Sequence, residues 1–433
     1  MKLSKPASAV LLSGLAIRLG LAPFTGHPGD MALFVESQRL FYQSGTIDLK
    51  YFPTLPMVYY VQLLFYAPYQ LLRLLGMPDS QFLYHDTLMI EGLFLKLPLI
   101  LCDVGIFLVI LSFTHKLLPA TLFFLNPFPI YLSAVWGTYD STMLFPLVLG
   151  VYFLATGGGR IVSSLVFVIS GLMKLFGFVA FALLICESLI RRRFRAEISW
   201  EILGGLAIIA GTVFPVFLVG GFESFLHGVV YRFIGLGYGT AGGASYNVFE
   251  TVFKINPSGN LPILPAALGL ICLGYSYESS KGKHLRPLLV LKWTLIGGLA
   301  FSLFSASEPQ WLSWLVPLGI LYGSFAERAG LQYFAYMFGV FVTFLTMTLL
   351  QGSAYMLVGS GAGFILGYVE NVPGGALLYT MMTTIMIVMF CGYSFSKRLK
   401  SFRLEVIPLT VLLYLQLYFW IVVVGVGKLV GVA

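Results

Sequence analysis

HPGDMALFVESQRLFYQSGTIDLKYFPTLP, residues 27 to 56, is a polar insert between two apolar segments long enough to cross a bilayer. Asp30 follows a His-Pro-Gly turn signal. It opens a stretch in which Met31, Phe34, Val35, Phe41 and Tyr42 are set against Asp30, Glu36, Ser37 and Arg39, the pattern of an amphipathic helix lying along a membrane surface. The insert ends at Tyr51-Phe52-Pro53-Thr54-Leu55-Pro56, where aromatic rings suit the headgroup level and prolines break the chain before the span Met57 to Leu75. Grease, polar loop, grease is the plan of a polytopic helical membrane protein. The loop reads as a catalytic loop; a solvated connector with an ordinary surface carboxylate is the alternative.

Composition agrees. With 58% hydrophobic residues, 10% charged residues and a mean hydropathy of +0.90, 433 residues cannot be hidden in one soluble core. The net charge of +8 comes from clusters at Arg191 to Arg195, Lys281 to Arg286 and Lys397 to Arg403, which mark cytoplasmic loops. Such short clusters separated by spans argue against nucleic-acid binding. Cys102, Cys186, Cys272 and Cys391 lie in apolar segments without CxxC spacing, so neither a disulfide framework nor a zinc site is indicated. Lys2 and Lys5 precede the first apolar run, Ala7 to Ala22, and place the amino terminus inside. Residues 24–56 then form a first exoplasmic loop, and residues 222–262 a second, within a single transmembrane domain covering residues 1–433.

About 12 to 14 crossings are expected, several shorter than the roughly 20 residues a perpendicular helix needs. Ile161 to Ile190 is either one tilted crossing or two short ones meeting at Lys174.

Ionisable residues at membrane depth are costly and so are candidates for function. Lys96 and Asp103, seven apart, share a helical face and form either a packing ion pair or part of a site. Asp140 closes a Trp136-Gly137-Thr138-Tyr139-Asp140 cluster at a helix break. Lys174 is either a ligand anchor or a side chain snorkelling to a lip. Glu308 and Gln310 bracket Pro309 just before Trp311 and Trp314, and His85 with Asp86 occupies a short loop. The second outer loop carries His227, Tyr231, Arg232, Tyr246, Asn247 and Lys254 among glycines.

The order of these features resembles the GT-C superfamily of polytopic glycosyltransferases, which use polyprenyl-phosphate-linked sugars. The resemblance rests on Gly29-Asp30, Tyr51-Phe52-Pro53, Leu97-Pro98 with Asp103, Asn126-Pro127 followed by Trp136 to Ser141, Lys174-Leu175-Phe176, Ala244 to Phe249, and Glu308 to Trp314. Within that superfamily it resembles the dolichyl-phosphate-mannose mannosyltransferases, including the first mannosyltransferase of GPI-anchor assembly, and their archaeal and bacterial cousins. It implies an all-α GT-C bundle with amphipathic helices in the exoplasmic loops, in a plasma or endoplasmic reticulum membrane, with its site facing outside or the lumen. Implied too is inverting, metal-independent transfer of a hexose, mannose first, to a lipid-linked glycan or glycolipid by a monomer that needs no cofactor. In that scheme Asp30 is the general base. Arg232, then Lys174, with His227 assisting, take the donor phosphate. His27, Tyr51, Trp136, Asp140, Asn247, Glu308, Gln310 and Trp311 contact substrate. A lipid-linked-sugar transporter or a noncatalytic subunit of a glycosylation complex are the readings from other classes.

Overall fold

The computed structural model describes residues 3–49, 52, 55–80, 88–191, 195–226, 229, 263–281, 286–304, 309–346, 381–386 and 389. These residues are almost wholly helical. The first span is α1 (Lys5–Leu21), capped by the Ser4 hydroxyl on the Ala7 amide and extended by a 3-10 turn, Ala22–Phe24. The polar insert folds as the amphipathic helix α2 (Pro28–Ser44), with Pro28 in its first turn and Gly45 left-handed at its end. Then come α3 (Pro56–Leu74) and α4 (Met89–Thr114).

The apolar stretch from Leu117 to Ala134 is broken. Asn126 caps a new start by accepting from the Phe128 amide, and its side chain donates to the Tyr336 carbonyl at 3.0 Å. The result is α5 (Leu117–Phe124), a short α6 (Pro127–Ile130) and a π-helical turn, Tyr131–Trp136, bent by 45° from α5. Prolines 127 and 129 cannot donate to a continuing ladder, which is why the span breaks there.

After α7 (Asp140–Thr156), the open choice at Lys174 resolves as two short helices, α8 (Arg160–Met173) and α9 (Phe178–Arg191). They form an antiparallel hairpin. Arg160 at the start of α8 bonds the Leu184 carbonyl and the Ser188 hydroxyl near the end of α9, and pairs with Glu187 at 3.3 Å. At the tip, a side chain on Gly177 would overlap the Ser170 and Gly171 backbone, so only glycine lets the chain reverse this tightly.

The long α10 (Arg195–Phe225) exposes Leu203, Leu206, Phe214, Phe217, Leu218 and Phe222, as a lipid-facing helix does. Its end reaches back to the first loop: Ser224 Oγ donates to the Ile47 carbonyl and accepts from the Leu49 amide, at 2.9 and 2.8 Å. Next come α11 (Ile263–Ser280), α12 (Arg286–Phe304), a 3-10 helix, Pro309–Trp314, then α13 (Leu315–Phe325) and α14 (Ala329–Leu345).

Three described helical segments, Lys5–Phe24, Met89–Thr114 and Ser199–Phe225, are long and apolar enough to cross a membrane, and the broken pair α5 with α6 and its π turn would make a fourth. The others, which include the amphipathic α2 and several shorter apolar helices, surround one continuous core that runs from Met31 and Phe34 on α2 to Leu345 on α14. The chain is an integral membrane protein. Of the two apolar stretches beyond α14, 404–427 lies outside the described residues and 375–393 lies outside them except for 381–386 and 389.

Candidate active site

Two aspartates organise the site, each at the first turn of a helix and each bound by an indole N–H. A carboxylate there meets unpaired backbone amides and the positive end of the helix dipole. Asp30 sits in the first turn of α2. His27 is the N-cap: its Nδ1 accepts from the Asp30 amide at 3.1 Å, and its ring stacks on Trp136 at 5.0 Å between centroids. The Trp136 carbonyl in turn accepts from the His27 amide at 2.9 Å. Across this junction Trp136 Nε1 donates to Asp30 Oδ2 at 2.7 Å, and His27 Nδ1 lies 3.6 Å from the same oxygen. The other oxygen, Oδ1, has no hydrogen-bond partner among the described residues, and the side chain is 27% exposed. Burial holds the His27 imidazole below its ordinary pKa of 6.5, with the Asp30 charge pulling the other way. Because Nδ1 is occupied as an acceptor, neutral His27 carries its proton on Nε2.

Asp140, first residue of α7, is its counterpart in the interior. Its side chain is only 2% exposed and is fully engaged: Oδ1 accepts from Lys174 Nζ at 2.8 Å and from Trp314 Nε1 at 2.7 Å, and Oδ2 from the Thr138 hydroxyl at 2.8 Å. Lys174 lies at the extended break between α8 and the 3-10 turn Leu175–Gly177. Behind it, Phe176, Trp314 and Trp311 form a stack of near-parallel rings with centroids 4.5 and 5.5 Å apart. Trp311 is half-buried and ends that stack, while Gln310 beside it is buried.

Lys96 and Asp103 do share a face of α4, yet they do not pair with each other. Asp103 Oδ2 is paired with Arg18 on α1 at 2.9 Å and accepts from Ser133 at 2.7 Å, while its Oδ1 accepts from Ser141 at 2.6 Å. Ser133 and Ser141 flank the Trp136 to Asp140 loop, so Asp103 clasps both of its sides. Lys96 is fully buried and points into backbone carbonyls from the end of α1 and from the π turn. Among the described residues no three His, Cys, Asp or Glu side chains converge as a metal site would require.

The structure therefore joins His27, Asp30 and Trp136 in one cluster, and Asp140, Lys174 and Trp311 in another. Tyr51, His85, Asp86, His227, Arg232, Asn247 and Glu308 lie outside the described residues. Sequence reasoning passed over Arg18, and it placed Thr138 and Trp314 in candidate motifs without assigning either a role. Arg18 sits inside the apolar run Ala7 to Ala22, and the cost of an intramembrane charge was signal enough to find it. Trp314 stood inside the Glu308 to Trp314 motif, but an indole before an apolar helix is ordinary at an interface and did not reveal its bond to Asp140.

No family model and no curated protein matches the sequence. In structure, the chain matches crystal structures of ArnT from Cupriavidus metallidurans, one bound to undecaprenyl phosphate and one in the apo state. The TM-score is 0.51 for each, at 16% identity, over 96% of this chain and 75% of the ArnT chain. The chain has the GT-C fold. Motifs scattered over some 280 residues of the sequence, from Asp30 to Trp314, meet inside that GT-C bundle through the hydrogen bonds Asp30 to Trp136 and Asp140 to Trp314.

Proposed function

We propose that this chain is an integral-membrane glycosyltransferase that moves a hexose, mannose first and glucose next, from a polyprenyl phosphate to a hydroxyl of a lipid-linked glycan or glycolipid. One observation carries this reading: at the head of an amphipathic helix, Asp30 has Oδ2 fixed by the Trp136 indole, no hydrogen-bond partner on Oδ1 among the described residues, and a partly exposed side chain. That is the arrangement of a positioned base. The acceptor oxygen attacks the anomeric carbon as Asp30 Oδ1 takes its proton. The bond from that carbon to the phosphate oxygen breaks, the electron pair leaves with the polyprenyl phosphate, and the configuration inverts.

A leaving group with a single phosphate calls for cations rather than a metal clamp. Arg232 is the first choice, with His227 assisting. Lys174 becomes the weaker candidate because its ammonium already engages Asp140. The half-buried outer face of Trp311 suits an apolar sugar face or the first isoprenes of the lipid. The undecaprenyl phosphate bound in ArnT supports a lipid-phosphate donor for this chain as well. The site would face the exoplasmic or lumenal side, as the basic loops suggest.

The test is transfer of labelled sugar from polyprenyl-phosphate mannose, and separately from polyprenyl-phosphate glucose, to membrane lipids by purified protein in liposomes with chelator present. Transfer that survives chelation and disappears in Asp30→Asn supports the proposal and names the sugar. If folded protein consumes neither donor, or if Asp30→Asn works as well as the parent, the transporter and subunit readings take its place.

A further inference from the structure

The Lys96 amine is fully buried on α4, with no carboxylate within ion-pair distance among the described residues. A buried ammonium without a counterion is expensive and persists only where fixed dipoles replace its water. Five oxygens do so here. Nζ contacts the carbonyls of Ala22 at 3.0 Å, Ala134 at 2.9 Å and Val135 at 3.2 Å, the Thr25 carbonyl, and the Thr25 hydroxyl at 3.2 Å. With three N–H groups for five acceptors, some of these bonds are shared, and the cage resembles the oxygen shell of a monovalent cation.

The acceptors come from two chain ends that have carbonyls to spare. Ala22 and Thr25 close α1 and its 3-10 turn; Ala134 and Val135 close the π turn that stops at Gly137. Each is the negative end of a helical stretch, where the last carbonyls lack intrahelical partners. One end leads within two residues to His27, the cap of the helix bearing Asp30. The other is followed directly by Trp136. Thr25 Oγ also contacts the Ala134 carbonyl at 2.9 Å, so the two ends meet at the ammonium itself.

We infer that Lys96 is the positioning residue of the Asp30 site: its ammonium joins the end of α1 to the end of the π turn and so sets the Trp136 indole N–H against the Asp30 carboxylate. The catalytic consequence rests on reading Asp30 as the base; the geometric one does not. A purely packing role is the competitor, because the Lys96 stem lies against Gly137, with Cε 3.2 Å from where a Cβ on that glycine would stand.

The test uses full-length protein labelled with 15N-indole tryptophan, the Trp136 signal being assigned with Trp136→Phe. Lys96→Met keeps the stem and removes the charge. Thr25→Val removes one oxygen of the cage and keeps its shape. Both should move the Trp136 indole signal toward its position in Asp30→Asn, Lys96→Met further. Lys96→Met should also lower kcat at least about tenfold while the donor KM changes by less than about threefold, the pattern of an interaction realised in the transition state. Leu99→Ala, a buried truncation one turn along α4, should lower the melting temperature and leave the indole signal in place. An unmoved signal in Lys96→Met and Thr25→Val, or an equal shift in Leu99→Ala, overturns the inference. Should Lys96→Met fail to fold, Thr25→Val decides. If the parent transfers no sugar, the base reading fails, while the indole signal still decides what Lys96 does.

Discussion

At Asp30 a single indole N–H separates the two carboxylate oxygens: Oδ2 is held by Trp136, and Oδ1 has no hydrogen-bond partner among the described residues. A hydrogen bond to a charged group contributes about 1.5–3 kcal/mol, and about 1.4 kcal/mol is a factor of ten in rate. Trp136→Phe keeps an aromatic ring beside His27 and removes the indole N–H together with part of the ring. It should therefore reduce kcat by about 10- to 100-fold with little change in donor KM; a loss confined to KM would mean that Trp136 binds substrate instead of orienting the base. His27 makes a second prediction at this scale. Its imidazole is held below 6.5 by burial, so as pH falls from neutrality the unfolded chain takes up a proton that the folded chain resists. The stability that neutral His27 provides is thus present above about pH 6.5 and lost as pH falls through the folded-state pKa. Protonation of Nδ1 would also cancel the cap on the Asp30 amide. The melting temperature should fall as pH is lowered from 7 toward 5, and His27→Asn, which can still cap, should flatten that fall. An identical acid slope in parent and variant would remove His27 from the account.

Broken helices, rather than long ones, place the site. The π turn that ends at Gly137 delivers Trp136 to Asp30, and the reversal at Gly177 delivers Lys174 to Asp140. Both breaks were legible as irregularities, through Asn126-Pro127 and through a lysine interrupting an apolar run. Their geometry was not, because local sequence does not say whether an interrupted span bends or turns back; the grip of Arg160 on the far end of α9 decides that, and it is a tertiary contact. The two glycines should respond differently to alanine. At Gly137, φ is +92° and the added Cβ would stand 2.8 Å from Met31 Sδ, the movable end of a flexible side chain. Gly137→Ala should therefore cost about 1–2 kcal/mol, mostly backbone strain. At Gly177 the obstacle is the Ser170 and Gly171 backbone, which cannot give way without opening the hairpin. Gly177→Ala should lower the melting temperature by more than Gly137→Ala does and should abolish transfer, since Lys174 would leave Asp140. Equal losses from the two would show that the hairpin tip is softer than its packing implies.

Across the whole molecule, buried charges tie helices together at two levels of the bundle. Toward the basic loops, Arg160 joins α8, α9 and α10 through Glu187 and Glu201, and Tyr275 and Ser279 bring in α11 by donating to Glu187. Around the candidate site, Arg18, Asp103, Ser133 and Ser141 join α1, α4, the π turn and α7. The fold class was readable from composition and the polar insert because bilayer crossing leaves a one-dimensional record. These partners were not: Arg18 and Asp103 are 85 residues apart, and a lone charge in an apolar segment announces its cost but not its counterion. That pair also separates stability from chemistry. Neither side chain is exposed, and the Arg18 guanidinium is also bonded to the Phe124 carbonyl at 2.9 Å and lies over the Phe124 ring. Asp103→Asn preserves shape but leaves a buried guanidinium without its counter-charge, a change that typically costs about 3–5 kcal/mol, whereas replacing both partners with apolar residues of similar volume is often far milder. Unfolding of purified protein in one detergent should therefore rank the parent first, the double variant Arg18→Met with Asp103→Leu next, and Asp103→Asn last. If the double variant is instead the least stable, Asp103 matters chiefly through Ser133 and Ser141. The clasp across the Trp136 to Asp140 loop, rather than the ion pair, would then be what holds this end of the bundle together.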